Sequence, residues 1–258
     1  MRFFKYHGAG NDFILIDNRE NNIALSEANI KLMCERRFGI GADGLMLLEK
    51  DAELDFRMIY YNSDGKEGSM CGNGGRCIMA FAIKLGLVTT KAKFSAIDGV
   101  HEAYLLKNSI IRLKMNDVDN IHYENGHYFL NTGSPHHIRF VDESDKINVV
   151  EEGRRIRNHS RYSPDGTNVN FVEISSGKLF VRTYERGVED ETLACGTGIT
   201  AAAICASMEA KTDKSSFDVK APGGLLQVDF KRQSDTNFTD VWLTGPAEFV
   251  FSGEYTIK

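Results

Sequence analysis

Along this chain, apolar positions alternate with polar ones far more often than they recur at helical spacing. Phe13–Asp17, Leu45–Glu49, Phe56–Tyr61, Ile110–Met115, Val169–Ile174, Leu179–Tyr184, Leu225–Phe230 and Val241–Thr244 carry β-branched, aromatic or alternating apolar residues between turn signals. Each such stretch predicts a strand. Helical spacing is rarer. Ser26 precedes an apolar stripe through Glu27–Arg37, which predicts a helix with Ser26 as its N-cap. Asp145–Arg157 predicts another, with a basic C-terminal end. Gly74–Leu85 and Gly198–Met208 are small or apolar on nearly every face, and a helix without a polar face is a buried helix. Each opens at a glycine-rich turn, and the first closes at Gly86 in the C′ role.

No low-complexity linker divides the chain, and its division shows as repetition instead. Cys-Gly-Asn-Gly at 71–74 recurs as Cys-Gly-Thr-Gly at 195–198. Tyr61-Asn62 lies opposite Tyr184-Glu185, Asp43-Gly44 opposite Asp165-Gly166, and Gly10-Asn11 opposite Gly133-Ser134. Four landmarks recur in one order at a nearly constant offset, so the chain reads as a duplicated unit of roughly 120 residues. Each half is then a strand-rich layer wrapped round one apolar helix, with a cysteine at the start of that helix. The expected fold is α+β, in two pseudo-symmetric domains.

That placement sets Cys71 and Cys195 apart from Cys34, Cys77 and Cys205, which read as packing residues. The partial positive charge of a helix N-terminus favours thiolate over thiol, and the flanking glycines leave backbone N–H groups open to a ligand. Two thiols related by internal symmetry suit 1,1-proton transfer at a carbon stereocentre. One removes the proton from one face, the other returns it on the opposite face, and no cofactor is required. A redox dithiol forming a Cys71–Cys195 disulfide is the competing reading, although no C-x-x-C spacing supports it. Asn11, Asn62, Asn73, Ser134, Asn168, Glu185, Arg186 and Thr197 fall at the same landmarks and are candidate substrate contacts, and His136, next to the Gly133-Ser134 landmark, reads either as a site residue or as a hydrogen-bonded loop histidine. Arg186 has the fork geometry to clamp a carboxylate at two points.

Composition narrows the classes further. A net charge of −5 over 258 residues gives no nucleic-acid footprint and no reason to expect an anionic membrane partner. No apolar run reaches the roughly 18 residues of a membrane span, and the first ten residues lack the apolar core of a secretion signal. The expected location is the cytoplasm. An odd count of five cysteines argues against a disulfide framework. Gly39–Gly44 matches G-x-G-x-x-G but follows a helix and precedes a strand, the reverse of a dinucleotide-binding loop. His136 and His137 are adjacent on a strand, so they point apart and do not share a metal.

The segments HGAGNDFILID (7–17), GIGADG (39–44), YNSDGKEGSMCGNGGRC (61–77), GSPH (133–136), GTNVNFVE (166–173) and YERGVEDETLACGTG (184–198) resemble the diaminopimelate epimerases over almost the whole chain. The resemblance implies two similar domains, each a β-barrel-like sheet round a central helix, with the active site in the cleft between them. It implies a domain cut of 1–115 and 116–247, with the last strand, about 248–258, returning to the first domain. It also implies interconversion of LL- and meso-2,6-diaminopimelate without pyridoxal phosphate or metal, in a cytoplasmic homodimer. Carried over by position, Cys71 and Cys195 match the acid/base pair. Asn11, Asn62, Gly72, Asn73, Asn168, Glu185, Arg186, Gly196 and Thr197 match substrate-binding positions, and His136 and Glu185 match residues that assist catalysis. Two departures stand out: Ser134 replaces the asparagine of many members, and Gly44 replaces a glutamine found in some. Racemases of proline or hydroxyproline are the nearest alternative. Their substrates lack the distal amino-acid head that Asn62, Asn168 and Arg186 suit.

Overall fold

Polar–apolar alternation produces a strand-dominated chain. The computed structural model describes residues 1–68 and 70–257. In chain order the elements are β1 (Arg2–Gly8), β2 (Asn11–Asp17), α1 (Glu27–Cys34), β3 (Gly44–Glu49), β4 (Phe56–Asn62), α2 (Gly72–Lys84), β5 (Lys91–Ala96), β6 (Gly99–Leu105) and β7 (Ile110–Lys114). Then come β8 (His122–Glu124), β9 (His127–Asn131), β10 (Pro135–Phe140), α3 (Val149–Arg157), β11 (Asn168–Ser175), β12 (Lys178–Glu185), β13 (Asp190–Thr192) and α4 (Gly196–Glu209). The chain ends with β14 (Ser216–Ala221), β15 (Gly224–Arg232), β16 (Phe238–Pro246) and β17 (Glu248–Glu254). Two compact units result: Met1–Leu113 with Gly245–Lys258, and Lys114–Thr244.

In the first unit β1 pairs antiparallel with β2, β2 parallel with β3, β3 antiparallel with β4, β4 parallel with β5, and β5 antiparallel with β6. The second unit repeats the pattern with β9, β10, β11, β12, β14 and β15. Each parallel step needs a crossover, and a helix supplies it. α1 and α3 cover the outer faces, while α2 and α4 sit inside the curved sheets and pack against β1, β2, β3 and β6, or β9 to β12 with β14 and β15.

With helices on both faces, β2 and β3 are near-continuous apolar runs rather than half-buried ones. Ile14, Ile16, Leu45 and Leu47 meet Ile30 and Met33 of α1. Phe13, Leu15, Met46 and Leu48 alternate with them and are equally buried. On β11 the same alternation sends Val169 and Phe171 to α3. Asn168, Asn170 and Val172 therefore face the other way, and Asn170 lies against α4.

The helix boundaries refine the sequence expectation. α1 is capped by Ser26 as expected, in a reciprocal box with Asn29, but it ends at Cys34 rather than Arg37. Glu35 there is extended, and its carboxylate accepts the backbone N–H groups of Arg37 and Phe38. α3 starts at Val149 rather than Asp145 because Asn148 caps it, with Ser144–Lys146 forming a separate 3-10 turn. α2 and α4 start two residues earlier than expected, so Cys71 and Cys195 are themselves the N-cap residues. Gly86 takes the left-handed C′ conformation, φ 69°.

Candidate active site

Each cysteine closes an extended segment and opens a buried helix. Cys71 (φ −106°, ψ 122°) and Cys195 (φ −109°, ψ 107°) have nearly the same backbone. Their carbonyls accept the first helical bonds, from Gly75 at 2.7 Å and Ile199 at 2.8 Å. Neither sulfur caps its own helix, so the first-turn N–H groups at 72–74 and 196–198 keep their capacity to bind an anion. All five cysteines are thiols. Burial pushes the Cys34 thiol up to about 12 and those of Cys77 and Cys205 well above the usual range. These three stay protonated and inert.

In the first unit the Cys71 sulfur donates to Asn11 Oδ1 at 3.6 Å, and Asn73 Nδ2 donates to the same oxygen at 3.1 Å. The Asn11 amide is held by Asp43, whose Oδ2 accepts from Nδ2 at 2.6 Å. Behind it lies an ionic cluster. Arg36 bridges Asp12 and Asp43 at 2.8 and 2.7 Å, and the buried Lys5 pairs with Asp12 at 2.8 Å. Burial pushes the Asp12 carboxyl up, but hydrogen bonds from Arg36 and Lys5 outweigh it and bring the group down to about 2. Arg76, fully buried on α2, donates to Asn73 Oδ1 at 2.8 Å and to the Gly72 carbonyl at 3.1 Å. Burial lowers its pKa to about 10, which leaves it charged at neutral pH.

The second unit uses different groups at the matching place. Cys195 Sγ lies 3.5 Å from Thr197 Oγ1, and His136 Nε2 lies 2.9 Å from the same hydroxyl. Asn170 Nδ2 approaches His136 Nδ1 at 3.0 Å. Burial, with the positive charge of Arg186, pushes His136 down to about 3, so the ring is neutral at working pH. His137 points away from it and meets the Tyr162 hydroxyl at 2.7 Å.

The remaining expected site residues occupy varied settings. Asn168 bridges the Pro135 carbonyl and the Arg186 N–H at 3.1 and 2.9 Å. Glu185 ends β12 and accepts from Thr192 Oγ1 at 2.9 Å. Among the described residues Arg186 makes no ion pair. Glu189 is engaged by Arg157 at 3.0 Å instead, and Arg186 Nη1 reaches only the Asp165 carbonyl at 3.4 Å. Gly72 and Gly196 are the first residues of α2 and α4. Asn62 is exposed at the end of β4, and Ser134 is half-buried before β10. Neither side chain hydrogen-bonds to the rest of the set among the described residues. Gly44 has no room for a side chain, since a Cβ there would lie 2.6 Å from the Tyr60 ring and the Tyr61 carbonyl oxygen. Among the described residues no group of three or more His, Cys, Asp or Glu converges as a metal site.

Sequence reasoning passed over Asp12, Lys5, Arg36, Arg76, Asn170 and Thr183, and read Asp43 only as a landmark of the repeat. Arg76 had a usable signal, as the one charge ahead of the last turn, where Lys84 lies, in an otherwise apolar helical segment. Asn170 has a consequence for Gly198, where a Cβ would sit 2.3 Å from Asn170 Oδ1 and 3.3 Å from His136 Cε1. Alanine in a helix interior ordinarily gains about 1 kcal/mol over glycine. Here overpacking reverses the sign, and Gly198→Ala is expected to lose about 2 kcal/mol. A urea melt of the variant checks the sign.

The diaminopimelate epimerase family model matches residues 3–115 and 128–250. The chain is 51% identical over 257 residues to the diaminopimelate epimerase of Flavobacterium psychrophilum, covering 97% of this chain and 98% of that one. It is 45% identical to the diaminopimelate epimerase of Chlorobaculum tepidum, covering 97% and 99%. Among solved structures, a PhzF-family phenazine biosynthesis protein of Bacillus anthracis superposes with a TM-score of 0.79 at 15% identity, covering 100% of this chain and 99% of that one. A hydroxyproline epimerase of Agrobacterium vitis gives 0.73 at 14%, covering 98% and 91%. At such identities these two establish the fold alone, two α+β domains each built round a central helix. Taken with the paired helix-capping cysteines, the family match and the near full-length relatives identify the chain as a member of the diaminopimelate epimerase family.

Proposed function

We propose that the protein epimerises LL-2,6-diaminopimelate to the meso isomer by cofactor-free 1,1-proton transfer between Cys71 and Cys195. The pair of thiols, each the N-cap of a buried helix, carries this reading. A thiolate takes the α-proton, and the electron pair left on carbon spreads into the α-carboxylate. The other thiol returns a proton to the opposite face, and the two sulfurs exchange protonation states. First-turn N–H groups of α2 and α4 are the donors for the carboxylate and its developing charge. Asn11 and Thr197 meet the sulfurs, and Asn73, which donates to Asn11, is a further candidate contact for substrate. Asn62, Ser134, Asn168, Glu185 and Arg186 are the candidate contacts for substrate, and the guanidinium of Arg186 suits the distal carboxylate.

This activity belongs on the route to lysine and to cell-wall cross-links. Homodimerisation and a cytoplasmic location follow from the same family reading. Exposed apolar residues on β17, Phe249, Val250 and Phe251, are in keeping with a second copy covering that strand. No described helix is long and apolar enough to cross a membrane.

The deciding experiment is incubation of the reduced protein with LL-diaminopimelate in deuterium oxide, with no added cofactor. The expected result is loss of one α-proton signal together with appearance of the meso isomer. Absence of exchange in protein whose thiols titrate would overturn the assignment and direct attention to proline-type substrates.

A further inference from the structure

We propose that Asn170 is a positioning residue for Cys195: it fixes the tautomer of His136, which turns the Thr197 hydroxyl proton toward the Cys195 sulfur and favours the thiolate there. The inference rests on the reading of Cys195 as an acid/base group.

Asn170 is fully buried on the face of β11 that meets α4. Its amide has one orientation only. Nδ2 faces the His137 carbonyl at 3.2 Å, while Oδ1 accepts from Thr183 Oγ1 at 2.9 Å. A carbonyl only accepts, so the nitrogen must lie on that side whatever the histidine does. The same nitrogen reaches His136 Nδ1 at 3.0 Å, which makes Nδ1 an acceptor. A neutral ring then carries its single proton on Nε2. Nε2–H donates to Thr197 Oγ1 at 2.9 Å. Having received that bond, the hydroxyl directs its own proton onward, and Cys195 Sγ stands 3.5 Å away. The donors therefore run in one direction: Thr183, Asn170, His136, Thr197, Cys195. A hydrogen bond to the charged form of a group favours that form. Gly198 fits the same account, because its missing side chain is what lets α4 approach Asn170.

At Cys71 the polarity is opposite. Asn11 turns its amide oxygen to the sulfur because Asp43 holds its nitrogen. An acceptor favours S–H. Two thiols with nearly the same backbone thus meet different partners, a donor at Cys195 and an acceptor at Cys71.

Asn170→Asp keeps the shape and reverses the chain. A carboxylate only accepts, so His136 must place its proton on Nδ1, and Nε2 becomes an acceptor that draws the Thr197 hydroxyl proton away from sulfur. Asn170→Ala removes the donor without burying a charge, and serves if the aspartate variant does not fold. Three readouts are taken on folded protein: steady-state kinetics, the pH dependence of iodoacetamide alkylation at Cys195 followed by peptide mass spectrometry, and the histidine tautomer by ¹⁵N NMR. We expect kcat to fall about tenfold or more with KM within about twofold. The alkylation profile of Cys195 should move about one unit to higher pH, while that of Cys71 stays. Asn170→Asp should shift the His136 proton to Nδ1, and Thr197→Val should mask the effect of either substitution. A folded variant with the parent's alkylation profile and kcat overturns the proposal, as does full additivity with Thr197→Val. Alkylation and NMR need no substrate, so these readouts stand even if diaminopimelate is not turned over.

Discussion

Cys71→Ala and Cys195→Ala are each expected to abolish epimerisation while leaving a folded protein. In a two-base reaction one thiol cannot replace the other, because each addresses one face of the carbon. Losing a positioned acid or base lowers the rate by about 10²- to 10⁴-fold. The structural cost is small. Neither sulfur caps its helix, and removing one side-chain atom from half-buried Cys71 or buried Cys195 costs about 1 kcal/mol. Circular dichroism and a thermal melt separate the two effects. The remaining thiol still reaches one face. Each single variant should therefore wash α-deuterium into one stereoisomer without inverting it. Full turnover in either variant would sink the two-base mechanism.

Acid is expected to unfold the second unit through His136 and His137. Burial is the leading cause for both, and each is pushed down to about 3. Beside His136 the second cause is Arg186, and beside His137 it is His127, then Arg161 and Arg139. Both groups bind protons more tightly in the unfolded chain, where the pKa is about 6.5. Their neutral forms are thus compatible with the fold above that value, and stability falls as pH drops from about 6.5 toward 3. Over that window each histidine contributes a slope of about 1.4 kcal/mol per pH unit. Among the described residues His137 Nε2 has no hydrogen-bond partner, so no acceptor there takes the added proton. Urea melts at pH 7.5, 6.0 and 5.0 read the slope. His137→Gln should flatten it, and a parent protein equally stable at all three values would contradict the account.

The parts of this molecule that are written locally were legible in its sequence. Ser26 announces α1 because capping is settled within four residues. The two apolar helices and their cysteines stand out because no helix face needs water. Their first turns were misplaced because Gly72 and Gly196 look like turn residues, and glycine carries no local signal for a helix start. Strands such as β1, β5, β6 and β14 were passed over because they hold few β-branched residues and many charged ones, although in β5 and β14 the charges fall on the exposed positions of a regular alternation. Asn170, and the role of Asp43 toward Asn11, were hidden for another reason. Their roles depend on partners 34 and 32 residues away, and one polar residue on a strand looks like any other until the opposing helix is in place. Cys71 and Cys195 were visible only because duplication wrote the same signal twice.

The pairing of β17 with β1 places the last strand of the chain beside the first, from Arg2 with Glu254 to His7 with Glu248. The two units therefore depend differently on the order of the chain. Residues 114–244 form a contiguous unit, whereas the first unit draws residues 248–254 across to β1. Without that segment one flank of β1 is left unsatisfied. A chain cut after Ala247 would keep the Cys195 unit and leave the Cys71 unit lacking its outer strand.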